Sequence, residues 1–409
     1  MMMSSTSVYV VLALLLPFTS SFNKPSFLQP ATTSHDVISR RNIIQITAAG
    51  VLATGTLGLD SPAFALPTAS PAISISPAGK ATLPKMGMGA WAWGDSFFWG
   101  YNKDEDQELE QVFRYAIDHG VSFFDTAELY GIGRSETLIK DFAGRMDSES
   151  QSQLSVATKF AALPWRTKRG DVVNAAEASV KRLGRPIDLY QIHFPNAFAN
   201  EAYWDGLADC FDKGLVKSVG VSNYGKDAVR ACHAALAKRG IPLSSNQVQM
   251  SLLYRGPLDN GLKGTCDELG VQTIAYSPLA LGLLTGKYDA THYPKGPRKK
   301  LAERLFVENG PAAERLFESM RSIASKRGGK VPLSQVALNW CIAKNTCVIP
   351  GARSMKQVKQ NLGALEWKLS SDEVALLDEA SLALPPLVPP EASPFPKKDT
   401  GTGMIMFDS

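Results

Sequence analysis

The sequence predicts an α/β protein folded as a single (β/α)8 barrel, the TIM-barrel architecture, over residues 83–384. Short apolar runs alternate with amphipathic segments along this stretch, and eight such βα units fit a barrel of about 300 residues. The runs are continuously apolar, as expected of parallel strands that are buried on both faces. The chemistry of such a barrel lies at the carboxyl ends of its strands.

The elements follow in a regular order. The predicted strands are KMGMGA (85–90), VSFFDT (121–126), LSVATKF (154–160), IDLYQIHF (187–194), VKSVGVSN (216–223), SNQVQM (245–250), VQTIAYSP (271–278) and TCVIPGA (346–352). Helical patterns between them include EDQELEQVFRYAIDHG (105–120), GDVVNAAEASVKRLG (170–184), DAVRACHAALAKRG (227–240) and PLSQVALNWCIAKN (332–345). Several close on Gly or Asn, as helices tend to.

A doubly wound open sheet is the structural alternative. Its dinucleotide-binding form needs a strand that leads into a GxGxxG turn. GMGAWAWG (87–94) and GIGRSE (131–136) lack the third glycine at the required spacing. The barrel is therefore the favoured fold.

The two ends of the chain differ from the barrel. VYVVLALLLPF (8–18), a Ser/Thr-rich stretch (19–35) and the twin arginines of SRRNIIQITAAGVLATGTLGL (39–59) come in series before AFA (63–65). This order predicts a removable plastid-targeting region over residues 1–65, with a signal anchor and spacer as the alternative. Residues 66–82 are predicted as a linker, and residues 385–409 as a proline-rich tail.

Composition excludes several functional classes. The net charge of +4 is too small for a nucleic-acid-binding surface. The five cysteines show no CxxC spacing, which predicts reduced, buried thiols and no metal site. We expect a small-molecule partner, neither nucleic acid nor an integral membrane segment in the mature chain, and leave the oligomeric state open.

Polar residues end three successive predicted strands. They are Asp125, Lys159 and His193, and Tyr130 follows Asp125 in the next loop. A buried unpaired charge is costly, so we expect Asp125 and Lys159 to face each other. A lysine beside a phenol favours the phenolate, which predicts a lowered pKa for Tyr130. Each residue alone has an ordinary structural explanation, but together the four predict proton delivery to an oxygen.

The motifs that carry these residues resemble those of the aldo-keto reductase family. They are FFDTAELYG (123–131), ATKF (157–160), LYQIHF (189–194), GVSNYG (220–225), NQVQMSLLYR (246–255), AYSPLALGLLTGKY (275–288) and VIPGARSMKQVKQN (348–361). The resemblance implies an NADPH-dependent carbonyl reductase. Tyr130 would protonate the carbonyl oxygen, Lys159 paired with Asp125 would tune the phenol, and His193 would orient the substrate. GAWAWGDSFFWGY (89–101) and ATKFAALPWR (157–166) look most like plastid members.

The same resemblance implies a cofactor site for NADPH. Its nicotinamide end would use Gly89, Ala90, Trp91, Ser222, Asn223, Gln247 and Tyr276, and its pyrophosphate Ser277, Pro278, Leu279, Leu281, Lys287 and Arg298. Its adenosine end would use Gly351, Arg353, Gln357, Gln360 and Asn361. Many relatives carry Lys-Ser at Gly351-Ala352 and Arg at Gln357. The 2′-phosphate clamp therefore rests on Arg353, with Lys287 and Arg298 as helpers.

Aromatic residues are expected at the barrel mouth. Trp91, Trp93 and Trp165 would line the substrate pocket, with Phe97, Phe98 and Trp99 near them. Such a wall favours a bulky or apolar aldehyde, ketone or quinone.

Two other functions stay open at this stage. One is a non-catalytic NADP(H) sensor or regulatory subunit, since some barrels of the family bind the cofactor and regulate partners. The other is an aldolase-type activity, in which Lys159 forms a Schiff base with the substrate. The expected location is the plastid, in the stroma or, if the twin-arginine segment is used, the thylakoid lumen.

Overall fold

The structure, a computed structural model, describes residues 72–387 apart from residues 197, 297, 330 and 386. The predicted targeting region (1–65) and almost all of the predicted tail (385–409) lie outside the described residues. Within the described residues, no helix is both long enough and apolar enough to cross a membrane.

Eight parallel strands form the barrel and confirm the predicted fold. The first two strands of the chain, β1 (Ser74–Ile75) and β2 (Ala81–Thr82), form a separate hairpin. The barrel strands are, in chain order, β3 (Met88–Gly89), β4 (Phe123–Asp125), β5 (Ser155–Phe160), β6 (Leu189–Ile192), β7 (Val219–Ser222), β8 (Leu243–Gln249), β9 (Gln272–Tyr276) and β10 (Cys347–Val348). Each strand pairs with its neighbour in sequence. Parallel bridges from Met86 to Val348 and from Gly89 to Gly351 join the first strand to the last.

Helices follow the strands and surround them. They are α1 (Asp106–Asp118), α2 (Arg134–Ala143), α3 (Ser148–Gln153), α4 (Arg169–Leu183), α5 (Asn200–Asp212), α6 (Lys226–Ala237), α7 (Gly256–Asp259), α8 (Leu262–Glu268), α9 (Arg298–Glu303), α10 (Gly310–Ser325), α11 (Leu333–Ala343), α12 (Met355–Leu362) and α13 (Ser371–Leu382). Short 3₁₀ or π turns cover Lys103–Glu105, Ala280–Thr285, Arg304–Glu308 and Gly363–Leu365. The four helical patterns named from the sequence coincide with α1, α4, α6 and α11.

The predicted linker (66–82) needs a correction, because its second half is structured. Two short strands, β1 (Ser74–Ile75) and β2 (Ala81–Thr82), form an antiparallel hairpin. The Lys80 ammonium donates to the Leu243 carbonyl (2.7 Å), and the Ala81 amide donates to the Ser244 hydroxyl (3.0 Å). Apolar side chains of the hairpin join the barrel interior, and they are Ile73, Ala81 and Leu83. The hairpin therefore belongs to the fold and covers the end of the barrel opposite the expected site.

Candidate active site

The inward faces of β4, β5 and β6 follow one pattern. Near the hairpin each strand presents an apolar residue to the barrel interior, and these are Phe123, Ala157 and Leu189. Side chains two residues apart lie on the same face of a strand. The inward residues two positions further on are Asp125, Lys159 and Gln191, and all three are buried. The polar residues therefore form one layer at the carboxyl end of the barrel.

Asp125 and Lys159 form the buried ion pair that the sequence predicts. The Lys159 ammonium lies 2.5 Å from Oδ1 of Asp125, and it also donates to the Thr126 carbonyl at 2.7 Å. Their side chains are 2 % and 0 % exposed. Burial lowers the pKa of Lys159, and the Asp125 carboxylate opposes this shift. The Lys159 ammonium is thus held in a fixed position and shielded from water, and the Asp125 carboxylate balances its charge.

Tyr130 lies beside this pair, as predicted. Its hydroxyl is 3.5 Å from Nζ of Lys159, and the ammonium lies 5.0 Å from the ring centroid. Burial, and after it the Asp125 charge, raises the pKa of Tyr130 well above its usual value. The expected lowering of the Tyr130 pKa is therefore wrong for the protein alone, because burial of the phenol and the nearby Asp125 charge both disfavour the phenolate. Tyr130 stays protonated at physiological pH, as a proton donor must.

His193 directly follows β6 and faces the tyrosine. The two rings meet edge to face with centroids 5.7 Å apart. Burial, and after it the Lys159 charge, holds the pKa of His193 well below its usual value, so the imidazole is neutral. Its Nδ1 is buried and has no hydrogen-bond partner among the described residues. A neutral ring with an unpaired nitrogen is suited to hydrogen bonding with a bound molecule.

The second carboxylate oxygen of Asp125 has two amide partners. Nε2 of Gln247 donates to Oδ2 at 2.7 Å, and Nε2 of Gln191 donates to the same oxygen at 3.2 Å. Gln247 was expected to bind the cofactor, whereas Gln191 was not among the predicted site residues. The signal was present, because Gln191 is the inward polar residue that follows Leu189 on β6.

The residues expected at the nicotinamide end form a connected network at the ends of β7, β8 and β9. Asn223 Nδ2 donates to the His193 carbonyl (3.0 Å), and the Tyr276 hydroxyl donates to Oδ1 of Asn223 (3.0 Å). The Ser222 hydroxyl donates to the Gln247 carbonyl (2.8 Å). Asn223 has a positive φ of 60°, a strained backbone that is typical of functional loops. The structure thus brings this set together next to His193.

Gly89 ends β3, and Ala90 and Trp91 follow it; all three are expected at the nicotinamide end of the cofactor. The Ala90 amide donates to the Asp125 carbonyl (2.8 Å), which ties this segment to the ion pair. A Cβ at Gly89 would lie 2.7 Å from the Ile349 carbonyl oxygen, so the strand accepts only glycine there. The Trp91 ring centroid lies 6.2 Å from that of Tyr130.

The expected pyrophosphate loop follows β9 and has an unusual backbone. Ser277, Ala280, Leu281 and Gly282 all have positive φ, between 48° and 94°. Pro278 and Leu279 lie between Ser277 and Ala280, and the Leu279 carbonyl accepts from the Gly282 amide (2.9 Å). Arg298 Nη1 donates to the Leu281 carbonyl (3.2 Å), which places one cation against the loop. Lys287 is exposed just beyond it. A strained loop with adjacent cations fits an anionic ligand.

The expected adenosine end lies at the start of α12. Ser354 caps this helix, and Oε1 of Gln357 accepts from the Arg353 amide at 2.7 Å. Asn361 Nδ2 donates to the carbonyl of the exposed Gly351 at 3.2 Å. Gln360 lies partly exposed on α12.

Arg353 itself is already engaged. Its guanidinium binds both carboxylate oxygens of Glu105 (2.6 Å) and the Trp99 carbonyl (2.6 Å). No local pattern around Arg353 indicates this pairing, since Glu105 lies 248 positions away along the chain.

The aromatic residues expected at the barrel mouth lie in three different surroundings. Trp91 stacks on Phe98 (4.9 Å between centroids) and meets Trp99 edge to face (5.5 Å), which forms a wall near Tyr130. Trp165 is 53 % exposed and Phe97 57 %. Trp93 is not in this wall, contrary to expectation. It is fully buried against Phe113, Phe124 and Phe142, because its ring faces the helices rather than the barrel mouth.

A nicotinamide dinucleotide fits the residues that are present. The site offers amide and hydroxyl groups at one end, a cation-flanked loop in the middle and a capped helix start with Arg353 at the other. Gly89 provides a surface without a side chain, and His193 provides an unpaired buried nitrogen. Among the described residues, no group of His, Cys, Asp and Glu could hold a metal ion.

Comparisons with known proteins agree with this geometry. The model of the aldo/keto reductase family matches residues 85–382. Pyridoxal reductase, chloroplastic, of Arabidopsis thaliana is 43 % identical over 75 % of this chain and 86 % of its own length. An uncharacterized oxidoreductase of Mycobacterium tuberculosis is 35 % identical over 76 % and 93 %.

Two solved structures show the same architecture. The thermostable aldo-keto reductase Tm1743, in complex with the inhibitor epalrestat, is 28 % identical with a TM-score of 0.60, and the match covers 75 % of this chain and 98 % of that one. An aldo/keto reductase from Klebsiella pneumoniae, in complex with NADP and acetate, is 25 % identical with a TM-score of 0.57, over 80 % and 96 %.

Proposed function

Because the chain belongs to the aldo/keto reductase family, we propose that it reduces an aldehyde or ketone to the alcohol with NADPH, using Tyr130 as the proton donor. The observation that carries the proposal is the position of the Tyr130 hydroxyl, 3.5 Å from the ammonium of the buried Lys159–Asp125 pair. A protonated phenol next to a fixed positive charge is suited to protonating an oxygen as negative charge develops on it.

Each residue of the centre has one task. NADPH, when bound, supplies the hydride for the carbonyl carbon. Tyr130 donates its hydroxyl proton to the carbonyl oxygen, and the Lys159 ammonium stabilises the phenolate that remains. Asp125 holds Lys159 in place. Neutral His193 orients the carbonyl oxygen by a hydrogen bond.

The cofactor would lie along the carboxyl ends of the strands. Ser222, Asn223 and Gln247 would bind its carboxamide, and Tyr276 would stack on its ring. The loop after β9, with Lys287 and Arg298, would hold the pyrophosphate. Arg353 would hold the 2′-phosphate, which requires it to exchange Glu105 for the phosphate, because Nη2 is bound to Glu105 and Nη1 to the Trp99 carbonyl.

We propose an aromatic aldehyde as the substrate, with pyridoxal as the first candidate. The Arabidopsis relative that shares 43 % identity is a pyridoxal reductase. The wall of Trp91, Phe98 and Trp99 offers ring faces near Tyr130 on which a flat aldehyde can stack. The same relative is chloroplastic, which supports a plastid location, and import of a fluorescent fusion into isolated plastids tests this.

The test is a reductase assay with the full chain. We expect pyridoxal to be reduced to its alcohol with one NADPH oxidised per alcohol formed. In Tyr130→Phe, turnover falls roughly 10²–10⁴-fold because the proton donor is lost. NADPH binding, measured by fluorescence, stays within about threefold of the wild type, because the phenol is assigned to proton transfer.

The controls separate this proposal from the two other functions. Tight NADPH binding without turnover of any aldehyde, ketone or quinone would instead identify a sensor. A covalent adduct at Lys159 after borohydride treatment with the aldehyde would identify Schiff-base chemistry.

A further inference from the structure

Gln191 is a buried polar residue to which the proposed mechanism gives no task. It lies on β6 directly beside Lys159 of β5 in the strand register, and its side chain is fully buried. Its Nε2 donates to Oδ2 of Asp125 at 3.2 Å, while Lys159 binds the other oxygen, Oδ1, at 2.5 Å. Gln191 therefore contacts the carboxylate on the side away from the lysine.

The hydrogen-bond partners around Gln191 determine how the side-chain amides of Gln191 and Gln247 are oriented. An ionised carboxylate only accepts hydrogen bonds, so Gln191 and Gln247 must both present Nε2 to Asp125. Nε2 of Gln247 is also 3.3 Å from Oε1 of Gln191. One hydrogen of Gln247 is thus directed to Asp125 and the other to Gln191. Gln191 completes a ring of three side chains in which it accepts from Gln247 and donates to Asp125.

The neighbouring strand leaves room for this side chain. Gly220 of β7 pairs with Gln191, and a Cβ at Gly220 would lie 3.2 Å from Cγ of Gln191 and 2.3 Å from Oγ of Ser245. A side chain at Gly220 would thus crowd Gln191. Titratable groups around this layer include Asp125 on β4, Tyr130 after it, Lys159 on β5, His193 after β6 and Cys347 on β10.

We infer that Gln191 is a positioning residue of the reductase centre. It holds Oδ2 of Asp125, so that Oδ1 stays directed at Lys159 and the ammonium stays within reach of the Tyr130 hydroxyl. It acts through Asp125 and contacts neither the proton donor nor the carbonyl. The inference rests on the proposed function, and it adds Gln191 to the residues that set the rate of proton transfer.

Three variants test the role in activity. Gln191→Met keeps nearly the same volume and removes the donor. Gln191→Glu keeps the shape and donates only while its carboxyl is protonated. Leu189→Met, on the same strand and the same inward face, changes an apolar residue near the hairpin and serves as the matched control. Pyridoxal reduction by the full chain is measured from pH 5.5 to 8.5, together with the Kd for NADPH.

We expect kcat of Gln191→Met to fall about tenfold, as for a lost hydrogen bond to a charged group, with the Kd for NADPH within about twofold of the wild type. Gln191→Glu should lose more activity at pH 8 and recover part of it towards pH 6, where the introduced carboxyl takes up a proton. Leu189→Met should match the wild type. The inference fails if Gln191→Met keeps wild-type kcat, or if Gln191→Glu shows no recovery at low pH.

Urea unfolding gives a readout that needs no activity. Gln191→Met and Asp125→Asn should shift the unfolding midpoint by less together than the sum of their separate shifts, because each removes the same hydrogen bond. If the wild type were inactive and the shifts of the unfolding midpoint were non-additive, the proposed function would be refuted but the coupling between Gln191 and Asp125 would stand. Additive shifts would overturn the coupling, whatever the activity.

Discussion

Two acid–base pairs of this protein have the same chemistry and opposite surroundings. Asp125 and Lys159 are 2 % and 0 % exposed inside the barrel, whereas Glu105 and Arg353 are 26 % and 28 % exposed at its rim. The inner pair is surrounded by Thr126, Gln191 and Gln247, which satisfy its remaining polar atoms. The outer pair faces water, which can replace either partner. We therefore expect the inner pair to be fixed and the outer pair to be exchangeable.

The largest expected difference is in stability. Lys159→Met leaves Asp125 buried and unpaired, so we expect the free energy of unfolding to fall by about 3–5 kcal/mol. Urea unfolding of the full chain measures it. The double variant Lys159→Met with Asp125→Asn should recover much of this loss, since it removes the uncompensated charge. A loss below about 1 kcal/mol, as for an exposed pair, would contradict the contrast between the two pairs.

The outer pair should act on cofactor binding rather than on stability. We expect Arg353→Met to raise the Kd for NADPH about tenfold and to leave the Kd for NADH unchanged, because only NADPH has a 2′-phosphate to bind. Glu105→Gln should have the opposite effect and tighten NADPH binding a few-fold, since it removes the competing carboxylate. Fluorescence titration measures these three constants. If Arg353→Met weakened the binding of NADPH and NADH equally, Arg353 would not bind the 2′-phosphate.

The smallest expected effect is a change in the pH dependence of stability. The native pKa of His193 lies well below its usual value, so below about pH 6.5 the unfolded chain binds a proton that the native protein does not. Stability is therefore lost as the pH falls, by about 1 kcal/mol between pH 7 and pH 5.5 for this group. His193→Gln should reduce the loss by that amount in urea unfolding at the two pH values. An unchanged pH slope would mean that the native imidazole takes up the proton.

The same contrast explains what the sequence could predict. Strands buried on both faces are nearly all apolar, so a single polar residue at a strand end stands out, as Asp125, Lys159 and His193 do. The inward position then shows which side chains enter the barrel. Lys159 is in register with Gln191 but Asp125 is in register with Ala157, so the contact between Asp125 and Lys159 is a side-chain contact that the register alone does not give. Gln191 follows the same rule, but a buried uncharged amide is less costly than a buried charge and therefore indicates a site less strongly.

Other features depended on contacts that a linear pattern does not show. The Glu105–Arg353 pair joins residues 248 positions apart, and nothing local to either residue indicates the other. Trp93 was expected at the pocket because it follows Trp91 closely, yet its side chain packs against helices. The hairpin at 74–82 is too short to show a strand period. The direction of the Tyr130 pKa shift depends on how deeply the folded chain buries the phenol, which the linear sequence does not show.

The most direct test of the central claim is a pair of crystal structures, one without cofactor and one with NADPH. We expect the Lys159–Asp125 separation to stay at 2.5 Å and the Tyr130 hydroxyl to stay within 3.5 Å of Lys159 in both. The Arg353 guanidinium should leave Glu105 and bind the 2′-phosphate in the NADPH structure. An intact Arg353–Glu105 pair together with an opened Asp125–Lys159 pair would contradict the account.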